Sequence, residues 1–212
     1  MTQPRLGFVG TTGRMGLEAQ SILAIPAMAE KFSGVEWYRR DDGFERLFGA
    51  DVWVEFSSPG AVLALCREAE RRNARIPLVV GATGWSSEEL SELERHARRS
   101  PILKASNFAV GVQVCRDTLR FWESRPEMKG WKVSIRELHH TGKKDAPSGT
   151  ALSLGDVIQA TRPSAVPIES VREGDIFGIH EIVYESGTEK ITLIHEAKSR
   201  SVFAEGALEA AL

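Results

Sequence analysis

Two adjacent histidines, His139 and His140, are followed by Thr141-Gly142, by Lys143 and Lys144, by Asp145, and then by Ser148-Gly149-Thr150. A histidine titrates near neutrality and can give or take a proton under physiological conditions. A lysine folded back beside it can donate a proton or hold a carboxylate. A Ser-Gly-Thr turn that opens a helix offers backbone N–H groups and two hydroxyls to an anion. Together these residue types suit proton transfer to a small anionic molecule. Successive side chains of a strand point to opposite faces, so His139 and His140 are not arranged for a shared metal, and no third ligand is spaced for one; no metal site is expected. A purely structural reading competes, in which Asp145-Ala-Pro-Ser-Gly is a turn capped by its aspartate and Lys143-Lys144 is a solvated pair.

The elements that carry these residues follow from periodicity. Trp131–His139 alternates for nine residues and reads as a strand of a half-exposed sheet. A helix is expected from Thr150 to Ala160, then strands over Ile168–Arg172, Gly178–Glu185 and Glu189–Ala197, with Glu185-Ser-Gly-Thr188 as a hairpin turn. Ahead of them a long helix ends near Arg125-Pro126 and turns Val114, Leu119 and Trp122 inward. One crossover helix with several antiparallel strands makes an α+β domain over residues 109 to 203.

The first half has a different rhythm. Leu6–Gly10, Val35–Arg39, Asp51–Phe56, Ile76–Val80 and Ile102–Ala105 read as short buried strands. Helices alternate with them, among them Ala61–Arg72, with Val62, Leu65, Cys66 and Ala69 on its apolar face, and Ser87–Arg99, with Leu90, Leu93 and Ala97 inward behind a Ser-Ser-Glu-Glu cap. This is the pattern of a doubly wound parallel sheet of Rossmann-like α/β class, over residues 1 to 108. Ligands of such sheets sit at the carboxyl ends of the strands. There the chain places Gly10-Thr11-Thr12-Gly13-Arg14-Met15-Gly16, Arg39-Arg40, Ser57-Ser58-Pro59, Gly81-Ala82-Thr83-Gly84 and Ser106-Asn107-Phe108. Glycines let a pyrophosphate approach a helix start, and Arg14 adds a charge-assisted contact. The spacing G-x-x-G-x-x-G also suits a tight turn that binds nothing. Arg39 and Arg40 would welcome a 2′-phosphate and so favour NADPH, whereas Asp41 and Asp42 would accept from the ribose hydroxyls of NADH.

Hydrophobic residues make up 42% and charged residues 26%, with a formal charge of −2, so no global basic field attracts nucleic acid. No apolar run approaches a membrane span, and the amino terminus lacks a signal-peptide pattern; a cytoplasmic protein is expected. Cys66 and Cys115 each fall in an apolar helical pattern and read as buried thiols. The last helix, Val202–Leu212, stops with no glycine cap or basic last turn, as a frayed end or a longer natural chain would give.

Glu137-Leu-His-His-Thr-Gly-Lys-Lys-Asp-Ala-Pro-Ser-Gly-Thr-Ala151 closely resembles the signature of the dihydrodipicolinate reductase (4-hydroxy-tetrahydrodipicolinate reductase) family of bacterial lysine biosynthesis. The resemblance extends to Gly10–Gly16, Val54–Pro59, Gly81–Gly84 (where the family usually has Gly-Thr-Thr-Gly), Ala105–Val112 and Ser199–Leu208. It implies that His139 is the proton donor/acceptor and Lys143 a second proton donor, and that His140, Gly149 and Thr150, with the Ser148 turn, bind the substrate dicarboxylate. Gly10, Thr11, Thr12, Gly13, Arg14 and Met15, then Gly81, Ala82 and Thr83, then Ala105, Ser106, Asn107 and Phe108 would hold NADH or NADPH. The implied reaction reduces a cyclic imine dicarboxylate to tetrahydrodipicolinate in the diaminopimelate route, in a homotetramer joined through the second domain, with residues 204 to 212 returning to the first. The acidic residue usual near the end of the family's second strand is replaced here by Tyr38 or a neighbour. Two other readings stand beside this one: a related nicotinamide reductase of another imine or keto acid, and a dinucleotide-binding sensor without turnover.

Overall fold

A computed structural model describes residues 2–39 and 42–212; Arg40 and Asp41, weighed above for cofactor choice, lie outside the described residues. The chain divides into two compact units, one made of the residues up to Phe108 together with Phe203–Leu212, the other of Ala109–Val202.

The first unit is built on five parallel strands, β1 (Arg5–Val9), β2 (Gly34–Tyr38), β3 (Val52–Glu55), β4 (Leu78–Val80) and β5 (Ile102–Lys104), in the order β2-β1-β3-β4-β5. Strand order reverses between β1 and β3, which is where such sheets open a ligand crevice. One face packs helices α3 (Pro59–Arg71) and α4 (Ser87–Ala97) through Val62, Leu65, Cys66, Ala69 and Leu93 onto Val9, Trp53, Leu78 and Val80. The other face packs α1 (Arg14–Leu23) and α7 (Ser201–Glu209), whose Ala19, Ile22, Ala204, Ala207 and Leu208 meet Leu6, Phe8, Val54 and Val79. A short α2 (Pro26–Ala29) follows α1. Small residues on α7 allow close approach: a Cβ at Gly206 would lie 1.8 Å from the Phe108 carbonyl oxygen.

Some sequence expectations shift. The fourth strand begins at Leu78 and not Ile76, because Pro77 has no N–H for the ladder, although its carbonyl accepts from Trp53. On α4 the inward position is His96, which is buried, while Ala97 is exposed. His96 Nδ1 lies 2.7 Å from Glu70 Oε1, so a polar contact replaces the expected apolar one. The expected cap is present as a reciprocal capping box between Ser86 and Glu89. Both cysteines are free and buried, as expected.

The second unit carries a four-stranded sheet, β6 (Lys132–His139), β7 (Ile168–Arg172), β8 (Ile179–Glu185) and β9 (Lys190–Glu196), in the order β7-β6-β8-β9. β6 and β7 are parallel, joined by the crossover helix α6 (Gly149–Gln159), and the other pairs are antiparallel. α6 and α5 (Val110–Ser124) cover one face of this sheet through Cys115, Leu119, Leu154 and Ile158 against Ile135, Ile182 and Tyr184. Val114, expected inward, is 59% exposed; the stripe of α5 runs through Val112, Cys115 and Leu119, one step round the helix. Glu123 at the end of α5 accepts from Tyr184 Oη at 2.7 Å and pairs with Arg162 at 2.9 Å, fastening helix to sheet.

Candidate active site

In the first unit the strand ends bring the expected nucleotide residues to one edge of the sheet. Gly10 follows β1 with φ +92°, a backbone that suits glycine, and a Cβ at Gly16 would meet the Gly10 carbonyl oxygen at 2.4 Å. These contacts draw the loop and helix tightly together. Thr11 is buried and donates from Oγ1 to the Tyr38 carbonyl at 3.3 Å. Thr12, Gly13 and Arg14 are exposed and Met15 half-buried. Gly13 caps α1 without any side-chain hydrogen bond, and the first turn holds no acidic residue. That helix start is open to an anion, unlike those of α3 and α4, which Ser58 and Ser86 cap. Arg39 directly follows β2, exposed, with its N–H on Asp42 Oδ2 at 3.0 Å. Gly81, Ala82 and Thr83 follow β4, and Ala105, Ser106, Asn107 and Phe108 follow β5. Phe56 joins these strand ends, its ring 5.9 Å from that of Phe108 and filling the space a Cβ at Gly81 would need.

In the second unit the end of β6 meets the start of α6. His139 is the last residue of β6 and is buried; His140 lies just past it, half-buried, with its N–H on the Ile176 carbonyl at 2.7 Å. Ser148 is the N-cap of α6, its Oγ accepting from the Ala151 N–H at 3.1 Å. Gly149 and Thr150 form the first turn, where backbone N–H groups lack intrahelical partners. Lys143 Nζ stands 2.8 Å from Asp145 Oδ1. Burial pushes the Asp145 carboxyl up, but Lys143 and the Gly149 backbone outweigh it and hold it below its ordinary range. Asp145 is thus an ion-pair partner of Lys143 as well as a turn residue, while Lys144 is exposed.

Three residues given no role from sequence complete the cluster. Glu137 is fully buried on the same face of β6 as His139, and its Oε2 lies against His139 Nδ1. Its Oε1 accepts from Arg172 Nη2 at 2.8 Å and from the Ser148 N–H at 3.3 Å. Arg172, at the end of β7, also donates to the Asp145 carbonyl. His180 on β8 stacks edge-on against His139 with ring centroids 5.2 Å apart, and its Nε2 lies 3.4 Å from Ser148 Oγ. The register explains the meeting: Glu137 faces His180 across one ladder and His139 faces Arg172 across the other. The available signal was the i, i+2 spacing of Glu137 and His139; Arg172 and His180 had none before the strands were paired.

The charges set distinct protonation states. Burial lowers the His139 pKa, Glu137 opposes this, and Lys143 adds to it, leaving the ring below its ordinary value. Burial, with the neighbouring His139 and His195, takes His180 down to about 3, so it is neutral. Burial raises Glu137, but Arg172, Ser170 and His139 overcome it, so it is a carboxylate at neutral pH. The His139 imidazole, the Lys143 side chain and the first-turn N–H groups of α6 within one cluster can exchange a proton with a bound carboxylate-bearing molecule.

Residues 27–108 match the family model "Dihydrodipicolinate reductase, N-terminus", and residues 111–212 match "Dihydrodipicolinate reductase, C-terminus". A 4-hydroxy-tetrahydrodipicolinate reductase of Bdellovibrio bacteriovorus is 31% identical, over 100% of this chain and 90% of its own length, which includes the Gly10–Gly16 loop ahead of the family match. One from Stenotrophomonas maltophilia is 40% identical over 99% of this chain and 91% of its own. Among solved structures, the dipicolinate-bound dihydrodipicolinate reductase of Paenisporosarcina sp. TG-14 superposes with a TM-score of 0.74 at 22% identity, covering 99% and 95% of the two chains. The aspartate dehydrogenase of Thermotoga maritima shares the fold at TM-score 0.60 and 13% identity, covering 99% and 95%.

Proposed function

We propose, from the premise that this chain belongs to the dihydrodipicolinate reductase family, that it reduces the cyclic imine dicarboxylate 4-hydroxy-tetrahydrodipicolinate to tetrahydrodipicolinate with NADH or NADPH, in the diaminopimelate route to lysine. The observation that carries the reading is the convergence of His139, Lys143 and the Ser148-Gly149-Thr150 helix start at the end of one strand. A bound nicotinamide would supply the hydride. Its pyrophosphate suits the loop from Gly10 to Met15 and the uncapped start of α1, with Gly81–Thr83 and Ala105–Phe108 lining the strand ends beside it.

Loss of the 4-hydroxyl as water gives a conjugated C=C–C=N system, and hydride addition to it would leave an enamine-like anion that must be protonated. Lys143 and His139 supply that proton and stabilise the charge as it develops. His140, Ser148, Gly149 and Thr150 hold the carboxylates. Glu137, His139 and His180 bring ligand-type atoms within 4.8 Å of one another, but Arg172 and Lys143 already supply the positive charge, so the reading needs no metal. No helix among the described residues is long and apolar enough to cross a membrane, and the reading places the enzyme in the cytoplasm. It also makes the enzyme a homotetramer through the second unit, whose sheet leaves Ile194 56% exposed; light scattering tests that.

The direct test is oxidation of each nicotinamide cofactor in the presence of freshly generated synthase product. Substrate-dependent oxidation is expected, and Arg39→Ala raises the KM for NADPH but not for NADH. No oxidation with either cofactor would sink the reading, and equal KM effects would remove Arg39 from 2′-phosphate recognition. A sensor without turnover is the second reading; it has no use for a proton donor, which the His139–Lys143 pair provides.

A further inference from the structure

The reductase reading leaves one buried charge without a task. Glu137 is 0% exposed, yet it is a carboxylate in the second unit's interior, a placement tolerated only where the charge is paired and hydrogen-bonded. Its two oxygens face different parts of the site. Oε2 lies against Nδ1 of His139. Oε1 receives the Ser148 N–H at 3.3 Å and Arg172 Nη2 at 2.8 Å. We propose that Glu137 is the positioning residue of the site: its one carboxylate orients the His139 ring through Nδ1 and, through its other oxygen, fixes the Ser148 helix start that receives the substrate. The proposal rests on the reductase reading for the chemistry it serves.

A carboxylate on Nδ1 fixes both the plane of an imidazole and its tautomer, leaving Nε2 as the nitrogen that exchanges protons. The opposite side of the ring agrees. A Cβ at Gly178, where φ is +156°, would lie 3.0 Å from His139 Nε2, so glycine there leaves that nitrogen room. The groups facing His139 are Glu137 on its own strand, Lys143 in the following turn, Arg172 on β7 and His180 on β8. Glu137 is the negative member of that set. Its removal leaves the imidazolium among positive and neutral groups and disfavours it. Because Ser148 hangs on the same carboxylate, the proton donor and the anion cradle are set by one group and cannot drift apart separately.

The test uses the full chain with Glu137→Gln and Glu137→Asp. A glutamine amide presents N–H to Nδ1 and reverses the tautomer. Glu137→Gln is therefore expected to lower kcat about 10- to 100-fold while the Kd for NADH, read by fluorescence, stays within twofold. As a proton donor His139 acts only when protonated, so kcat falls as pH rises through its pKa; loss of the Glu137 charge moves that fall to lower pH. Glu137→Asp recovers part of kcat and returns the profile toward its original position. A Glu137→Gln enzyme with kcat within twofold and a superimposable pH profile would overturn the proposal, since a merely structural carboxylate would alter stability and leave the profile in place. Should that variant fail to fold, long-range ¹⁵N–¹H NMR of the unmodified protein at pH 8 decides: protonation at His139 Nδ1 supports the proposal and protonation at Nε2 overturns it. That measurement needs no turnover, so it stands apart from failure of the reductase assay.

Discussion

Lys143 and Asp145 form a pair that, on the proposed reading, an incoming carboxylate would have to divide. The ammonium is held on Asp145 at 2.8 Å, and the same aspartate draws on the backbone of Gly149, so a substrate carboxylate bound at the helix start as proposed would take both partners from Asp145. Lys143→Ala removes the donor and leaves the first unit untouched. It is expected to lower kcat by about 10² to 10⁴, the usual range for a lost general acid, with the Kd for NADH unchanged; a variant within threefold of the original kcat would show that Lys143 is not the donor. At this scale His139, Lys143 and Ser148–Thr150 stood out in the sequence because proton-handling and turn residues were dense in a short stretch. The roles of Glu137, Arg172 and His180 did not, because a glutamate on a strand reads as an ordinary polar position until its neighbours are paired with it.

Elements were legible where their periodicity was clean. The alternation in β6 and the β8–β9 hairpin fell within a residue or so of their expected bounds, because pleat and turn chemistry are local. The inward faces of helices were less secure. On α5 the large apolar Val114 suggested an inward position, but the helix presents the smaller Cys115 there, since the sheet beneath it fixes the rotation of the helix and hydrophobicity alone does not. Small residues carry similar weight on α7. Gly206→Ala would drive a methyl group into the Phe108 carbonyl, 1.8 Å away. Backbone atoms cannot swing aside as a side chain can, so destabilisation of about 2 kcal/mol or more is expected. Thermal denaturation with a probe in the first unit checks this; an unchanged midpoint would mean that α7 is not packed as described.

For the whole molecule, buried histidines tie stability to pH. His180, 2% exposed, is held down to about 3 from an ordinary 6.5 by burial and by the adjacent histidines. The unfolded chain takes up that proton below pH 6.5 while the folded chain refuses it until about pH 3. Stability therefore falls as pH drops through that window, by about 1.4 kcal/mol per unit at most for this one group. His139 and His195, both lowered by burial, act in the same direction. The second unit's melting temperature is expected to drop by several degrees between pH 7.5 and pH 5.5, and His180→Gln flattens that slope; an unchanged slope would place the acid sensitivity elsewhere. The doubly wound class and the α+β class of the two halves were both readable from the rhythm of strands and helices. The first unit is discontinuous, with Ala204, Ala207, Leu208 and Ala211 sealing the core begun by Leu6 and Phe8. During synthesis this inverts the order of completion. The residues made first wait for residues made after the whole of the intervening unit, while that unit, whose strands and helices all lie between Val110 and Glu196, has every piece it needs sooner.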